Sequence, residues 1–300
     1  MPHVAVVTDS TAGVSPATAE ELGIVVVPLQ VVIGATSYAD GVDPEASPDS
    51  VAKALRDYLP VSTSRPSPEL LLETYEEAAA RGAGEIVSVH LSAEVSATHE
   101  SALLAAKRSP VPVHVVDTRQ IGAGTGWAAV AAAHVLADGG TCLEAAEAAR
   151  RRAAATTALF SVDTLEYLRR GGRIGSAAAL LGSALAVKPI LEVAGGRVEP
   201  REKVRTRGRA LSRLEELAVL GAEGHDVDVT VCHLANLPAA EDLARRLQER
   251  LAEQLGDRQV EVAEVAAVLG AHVGPGVVGV VVAPILSAVH SDEEGPGEHP

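Results

Sequence analysis

Val4-Ala5-Val6-Val7-Thr8-Asp9-Ser10-Thr11, followed by Ser15-Pro16 and then by Gly23-Ile24-Val25-Val26-Val27, is the stretch that decides the fold class. A run of mostly β-branched residues without polar alternation is a strand buried on both faces, and this one ends on polar side chains. Ser15 offers a helix N-cap, and Pro16 occupies the first helical position, where a missing N–H costs nothing. Gly23 closes that helix, and Ile24–Val32 predicts the next strand. Strand, capped helix, strand is the repeating unit of a parallel sheet covered by helices.

The same chemistry recurs downstream. Ser47-Pro48 and Ser67-Pro68 head helices over Asp49–Tyr58 and Glu69–Arg81, while Glu85–His90 and Val113–Val116 predict strands. From Ala158 the pattern changes. Helices are expected over Thr164–Arg170, Ala177–Ala186, Val204–Leu220 and Ala239–Gln254, and strands over Val227–Cys232 and Val260–Val265. Ile190–Val193, Gly195-Gly196 and Arg197–Pro200 predict a hairpin. The expectation is an α/β protein of two α/β domains, 1–157 with a mainly parallel sheet flanked by helices and 158–289, then a disordered acidic tail over 290–300.

Composition narrows the function. A formal net charge of -15 argues against nucleic acid, whose phosphates need a basic surface. The two cysteines, Cys142 and Cys232, have no metal spacing, and the N-terminus has no secretory pattern, so a cytoplasmic protein with reduced thiols is expected. Val265–Val289 is strongly apolar, but Gly270, Gly274, Pro275, Gly276, Gly279 and Pro284 interrupt it; Val277–Ala283 has the length of a buried strand, not a membrane span.

Three hydroxyl- or imidazole-bearing segments stand out as loops: Thr63-Ser64-Arg65-Pro66-Ser67-Pro68, Leu91-Ser92-Ala93-Glu94-Val95-Ser96-Ala97-Thr98 and Gly270-Ala271-His272-Val273-Gly274-Pro275-Gly276. Hydroxyls and an imidazole can hold a carboxylate or phosphate without specifying a reaction. No G-x-S-x-G elbow surrounds a serine, and no histidine has zinc-site spacing, so neither a catalytic residue nor a metal is assigned. Gly122-Ala123-Gly124-Thr125-Gly126 is G-x-G-x-G rather than the dinucleotide fingerprint, and a structural turn is the plainer reading. Arg169-Arg170-Gly171-Gly172-Arg173 is the densest positive charge; with Lys188, Lys203, Arg205 and Arg207 it is either an anion-facing cluster or a solvated face.

Taken in order, these segments resemble the DegV family of fatty-acid-binding proteins. The carriers of the resemblance are Asp9-Ser10-Thr11, Tyr38-Ala39-Asp40-Gly41-Val42-Asp43, Thr63-Ser64-Arg65-Pro66-Ser67 and Leu91-Ser92 through Thr98. Leu165 through Ile174, Leu181-Gly182-Ser183, Lys188-Pro189-Ile190-Leu191, Lys203-Val204-Arg205-Thr206 and His272-Val273-Gly274-Pro275-Gly276 complete it. The resemblance implies a non-enzymatic carrier that buries one long-chain fatty acid, its carboxylate at the domain junction, with no cofactor besides that ligand. A partner fatty acid kinase would phosphorylate the acid to an acyl phosphate for phospholipid synthesis, and a transient membrane-surface or acyltransferase contact is compatible with the role. Carried over by position, Thr63 and Ser96 would bind the carboxylate with Ser64 and Ser92 close by, His272 and Arg205 would join the hydrogen-bond network, and Arg173 would lie on the rim near the kinase. Ala93, Ala97 and Arg65 depart from the family's usual serine, glycine and glutamine. The alternative is a hydrolase or dihydroxyacetone-kinase-like enzyme using Ser96 and His272.

Overall fold

The computed structural model describes residues 3–180 and 187–286. Strand β1 (His3–Asp9) leads through a 3-10 turn into α1 (Pro16–Leu22), capped by the Ser15 side chain and ended by Gly23, and then into β2 (Ile24–Val27). The single strand expected over Ile24–Val32 is broken at Pro28-Leu29: β3 (Gln30–Ile33) leaves the first sheet and turns at Gly34 into β4 (Thr36–Ala39). After α2 (Pro48–Arg56), β5 (Val61–Ser64) pairs with the other edge of β3, giving an antiparallel sheet ordered β4-β3-β5. Proline ends the first ladder because it has no N–H to donate. Thr63 and Ser64, expected on a loop, therefore sit on a strand.

The chain continues through α3 (Pro68–Ala80), β6 (Ala83–His90), α4 (Thr98–Ala106) and β7 (Val113–Asp117). Strands β2-β1-β6-β7 make the wholly parallel sheet predicted by the strand–helix alternation. Two alanine-rich helices, α5 (Ala123–Ala137) and α6 (Cys142–Ala155), cover one of its faces, while α3 and α4 cover the other. The glycine-rich segment thus runs into the first turn of α5.

Strand β8 (Thr157–Ser161) begins a second sheet. α7 (Glu166–Arg170) ends in the Gly171-Gly172 turn, and a 3-10 segment follows over Gly175–Leu180 in place of the start of the helix expected over Ala177–Ala186; residues 181–186 lie outside the described residues, as does the expected tail over 290–300. The predicted hairpin forms from β9 (Lys188–Ala194) and β10 (Arg197–Val204). It extends further than expected, so the following helix, α8 (Arg207–Gly221), starts later than Val204, at a Thr206 cap. Then come β11 (Val227–His233), α9 (Leu237–Arg250), α10 (Ala252–Leu255), β12 (Glu261–Glu264), α11 (Ala267–Val273) and β13 (Val278–Pro284). The second sheet is ordered β10-β9-β8-β13-β11-β12, with only β11 and β12 parallel. Every residue of β13 is buried, as an unalternating apolar strand in the middle of a sheet must be.

Helices α5 and α6 touch both sheets, while α8 and α9 pack with the second sheet's apolar core. The contact between the halves is polar as well as apolar. Arg152 of α6 donates to Asp228 of β11 and to the Ala283 carbonyl, and the Trp127 indole donates to Thr230 at 3.0 Å. Among the described residues no helix is long and apolar enough to cross a membrane.

Candidate functional site

A cavity of about 320 Å³ lies where the polar ends of the first half meet the second sheet. Its apolar wall comes from Leu159 and Phe160 of β8, Val280 and Val281 of β13, and Val268 and Leu269 of α11. Its polar groups are concentrated in Thr63, Ser64, Arg65, Ser96, Arg173 and His272. The lining therefore joins residues on both sides of residue 157. Apolar walls with few converging polar groups are what a largely apolar ligand with one charged end requires.

Strand register decides which hydroxyl faces inward. Thr63 lies opposite the buried Val31 and is half-buried, whereas Ser62 and Ser64 are exposed, Ser64 while still lining the cavity. On α11, His272 is one helical turn from Val268 and so shares its face. The two faces meet: Thr63 Oγ1 and His272 Nε2 are 2.8 Å apart. His272 is expected on a loop but occupies the last turn of this short helix. Its Nδ1 is buried without a partner, packed against Gly171, where a methyl group would overlap the ring. Burial, reinforced by the nearby Arg173 charge, brings its pKa from 6.5 down to about 4, so the ring is neutral at pH 7.

Arg173 is exposed at the same cavity. Its guanidinium donates to two carbonyls, Val95 at 2.9 Å and Gly171, and among the described residues it meets no carboxylate. The neighbouring cations are already neutralised. Arg169 and Arg170 both grip Glu166, whose pKa their hydrogen bonds lower to about 2, and Lys188 pairs with Asp163 at 3.1 Å. The basic cluster thus divides: Arg169 and Arg170 are a solvated face, and Arg173 faces the cavity.

The remaining expected residues are only partly brought together. Ser64 and Ser96 line the cavity, with the Ser96 hydroxyl 2.9 Å from that of Thr98 and accepting the Thr98 N–H at 3.3 Å. Ser92 does not line it. Its fully buried hydroxyl donates to the Gly196 carbonyl at 2.7 Å, fastening the loop after β6 to the β9–β10 turn. Only glycine fits at 196, where φ is +86° and a Cβ would press on that hydroxyl. Arg205 is exposed and is also absent from the lining, because β10 runs on to Val204 and carries it outward. Arg65 lines the cavity while donating to Ala97 O and Glu100, tying β5 to the start of α4 across the position where the usual glycine is missing.

Two buried networks hold this geometry. Ser88, His90 and Asp9 form a relay of 2.8 and 2.9 Å contacts resembling a Ser–His–Asp triad. All three are fully buried, none lines the cavity, and the Ser88 hydroxyl also bonds the Tyr75 hydroxyl, so the relay is structural. Asp9 also accepts the Leu91 N–H, setting the start of the Ser92–Ser96 loop. The second network centres on Asp40, which accepts from the Ser10 hydroxyl at 2.8 Å and from the Ala267 N–H at the start of α11 at 3.1 Å. It thereby joins two motif segments of the sequence to the start of the helix that carries His272, a role that spacing along the chain does not reveal. Burial, only partly offset by these hydrogen bonds, raises its pKa from 3.8 to about 6. Ser96 and His272 are not hydrogen-bonded to each other, and no carboxylate orients the His272 ring among the described residues, which leaves the hydrolase alternative without a relay.

A second cavity, also of about 320 Å³, shares Gly122, Ala123, Cys232, Val265 and Leu269 with the first, so those residues form the wall between the two.

Residues 3–284 match the family model described as "Uncharacterised protein, DegV family". A DegV domain-containing protein of Streptomyces coelicolor is 54% identical over 280 residues, covering 93% of this chain and 98% of that protein. Among solved structures, a DegV family protein from Thermus thermophilus described for its fatty acid binding superposes with a TM-score of 0.87 at 33% identity, covering 95% of this chain and all (100%) of that one. The Bacillus subtilis protein described as DegV, a fatty acid binding protein, gives 0.86 at 29% identity, with 95% and 100% coverage. The motif segments, the mixed α/β fold with its parallel sheet flanked by helices, and this extent of similarity place the chain in the DegV family.

Proposed function

We propose that this chain is a fatty-acid carrier rather than an enzyme. The acyl chain occupies the apolar cavity, and the carboxylate sits among Thr63, Ser96 and Arg173, with Ser64 at the opening. The observation that carries this reading is a polar cluster, with one unpaired guanidinium, at one part of an otherwise apolar cavity. The fatty acid binding described for the T. thermophilus and B. subtilis relatives supports the same ligand class.

The neutral ring of His272 gives Thr63 its role. A buried N–H is more costly to leave unpaired than a ring lone pair, which favours the proton on Nε2 and places Nδ1 as the unpartnered acceptor. Nε2–H then donates to Thr63 Oγ1, and the threonine hydroxyl proton is released to donate to a carboxylate oxygen. A carboxylate held by hydroxyls keeps its nucleophilicity toward a phosphoryl donor, whereas a buried bidentate ion pair would suppress it. Affinity comes mainly from the chain. At about 0.8 kcal/mol per buried methylene, an acid of about sixteen carbons gains on the order of 10 kcal/mol before immobilisation losses.

In this reading residues 1–157 and 158–289 act as two units meeting at the ligand, in the cytoplasm. A separate kinase docks over the Arg173 rim and transfers a phosphoryl group to the presented carboxylate. The acyl phosphate then passes to phospholipid synthesis, through transient contact with an acyltransferase or membrane surface. Denaturing extraction followed by mass spectrometry tests the carrier itself. A long-chain fatty acid should be recovered at close to one per chain after exposure to a fatty-acid mixture; a protein that holds none and takes up none refutes the proposal.

A further inference from the structure

Away from the cavity, Glu85, His114 and Cys142 converge, their ligand atoms all within 4.8 Å of one another. The residues are far apart in sequence, and the fold assembles them. Val87 of β6 is registered opposite His114 of β7, and Glu85 lies two residues before Val87, on the same face of the parallel sheet. Helix α6 packs over that face, and Cys142 is its first residue, behind a Thr141–Glu144 capping box that sets where the helix begins. Glu85 and His114 stand at the N-terminal ends of their strands. The fatty-acid cavity takes its residues from the opposite ends, at Leu91 and beyond.

We infer that these three side chains form a binding site for a borderline-soft divalent transition-metal ion, with zinc the best fit. One thiolate, one imidazole and one carboxylate is a donor set that suits zinc and excludes magnesium and calcium, which take oxygen alone. Nε2 of His114 and the nearer Glu85 oxygen are 3.8 Å apart. Two ligands bound at about 2.0–2.2 Å in a tetrahedron stand about 3.5 Å apart, so a small rotation of the long Glu85 side chain closes the site. Cys142 is buried at 2% exposure, whereas the Glu85 and His114 side chains are 36% and 29% exposed, which leaves an entry path on one side and a fourth position open to water. Binding forms the metal–sulfur bond as the thiol proton leaves to solvent, one proton per ion. The bound ion would clasp the start of α6 to β6 and β7, away from the lipid.

Cobalt(II) titration of the reduced, chelator-treated full chain tests this. The expected result is a thiolate-to-cobalt charge-transfer absorption saturating at one ion per chain and displaced by zinc. It should be abolished in Cys142→Ser, weakened at least tenfold in affinity in His114→Ala and Glu85→Gln, and unchanged in Cys232→Ser. Far-UV circular dichroism of each variant separates loss of the site from loss of the fold, and Glu85→Gln preserves volume should Cys142→Ser unfold. Absence of the absorption in the folded wild-type chain, its survival in Cys142→Ser, or wild-type affinity in His114→Ala would each overturn the assignment.

Discussion

Asp40 and His272 sit at opposite ends of α11, and they should make stability depend on pH with opposite sign. Asp40 accepts the Ala267 N–H at the start of the helix and has its carboxyl pKa raised from 3.8 to about 6. A raised carboxyl pKa means that the folded state holds a proton the unfolded state has lost. The stability it contributes is fully present below pH 3.8 and is lost as pH rises through 6. His272 has its pKa lowered from 6.5 to about 4, so its contribution is fully present above pH 6.5 and is lost as pH falls through 4. Each displacement corresponds to about 3 kcal/mol, and the windows nearly coincide, so in the wild type the two slopes largely cancel. Single variants remove the cancellation. Relative to wild type, Asp40→Asn should gain about 3 kcal/mol between pH 4 and pH 7, while His272→Gln should lose a similar amount over the same range. Urea unfolding at half-unit pH steps, analysed as differences from wild type so that other titrating groups drop out, measures both. Two flat difference curves, or two of the same sign, would refute the pairing of these groups with α11.

Thr63→Val should weaken long-chain fatty-acid binding about 10- to 100-fold by removing a hydrogen bond to a charged group, with Thr63→Ser restoring most of it. Because Thr63 is also the only hydrogen-bond partner of His272 among the described residues, stability should fall by about 1–3 kcal/mol, more than the sequence alone suggests. Gly171→Ala drives a methyl into the His272 ring and should lower affinity about as much as Thr63→Val, measured by displacement of a fluorescent fatty acid; wild-type affinity would show that ring placement is unimportant. Arg152→Met leaves Asp228 poorly partnered between the two halves and should cost about 3 kcal/mol in urea unfolding, with the added Asp228→Leu change recovering most of the loss. Leu269→Ala opens the wall between the two cavities and should shift preference toward longer acids, by about fourfold per added methylene in a competition series.

Local signals carried much of the architecture. The unalternating run to Asp9, the Ser-Pro caps at residues 15, 47 and 67 and the glycine at 23 all act within a few residues of themselves, and each appears where expected. The errors fall where a partner elsewhere overrides a local preference. Ile24–Val32 is apolar throughout, yet Pro28 hands its second half to another sheet, and the strand nature of Val61–Ser64 becomes visible only through pairing with β3.

The candidate site divides in the same way. Thr63, Ser64, Ser96, Arg173 and His272 are legible as hydroxyls, a guanidinium and an imidazole set among glycine, proline and apolar residues, and the structure brings all of them to one cavity. Ser92 and Arg205 have equally suitable chemistry but turn elsewhere, one to the Gly196 carbonyl and the other outward. Residue type and helix or strand periodicity are properties of neighbours along the chain, so the ordering of residues settled most of the elements and nominated the polar groups. Which side chains face one another depends on register between distant strands and on the seating of α11. The Thr63–His272 contact, the Asp40 cap and the Glu85–His114–Cys142 cluster therefore arise only in the folded molecule, where packing sets the distances.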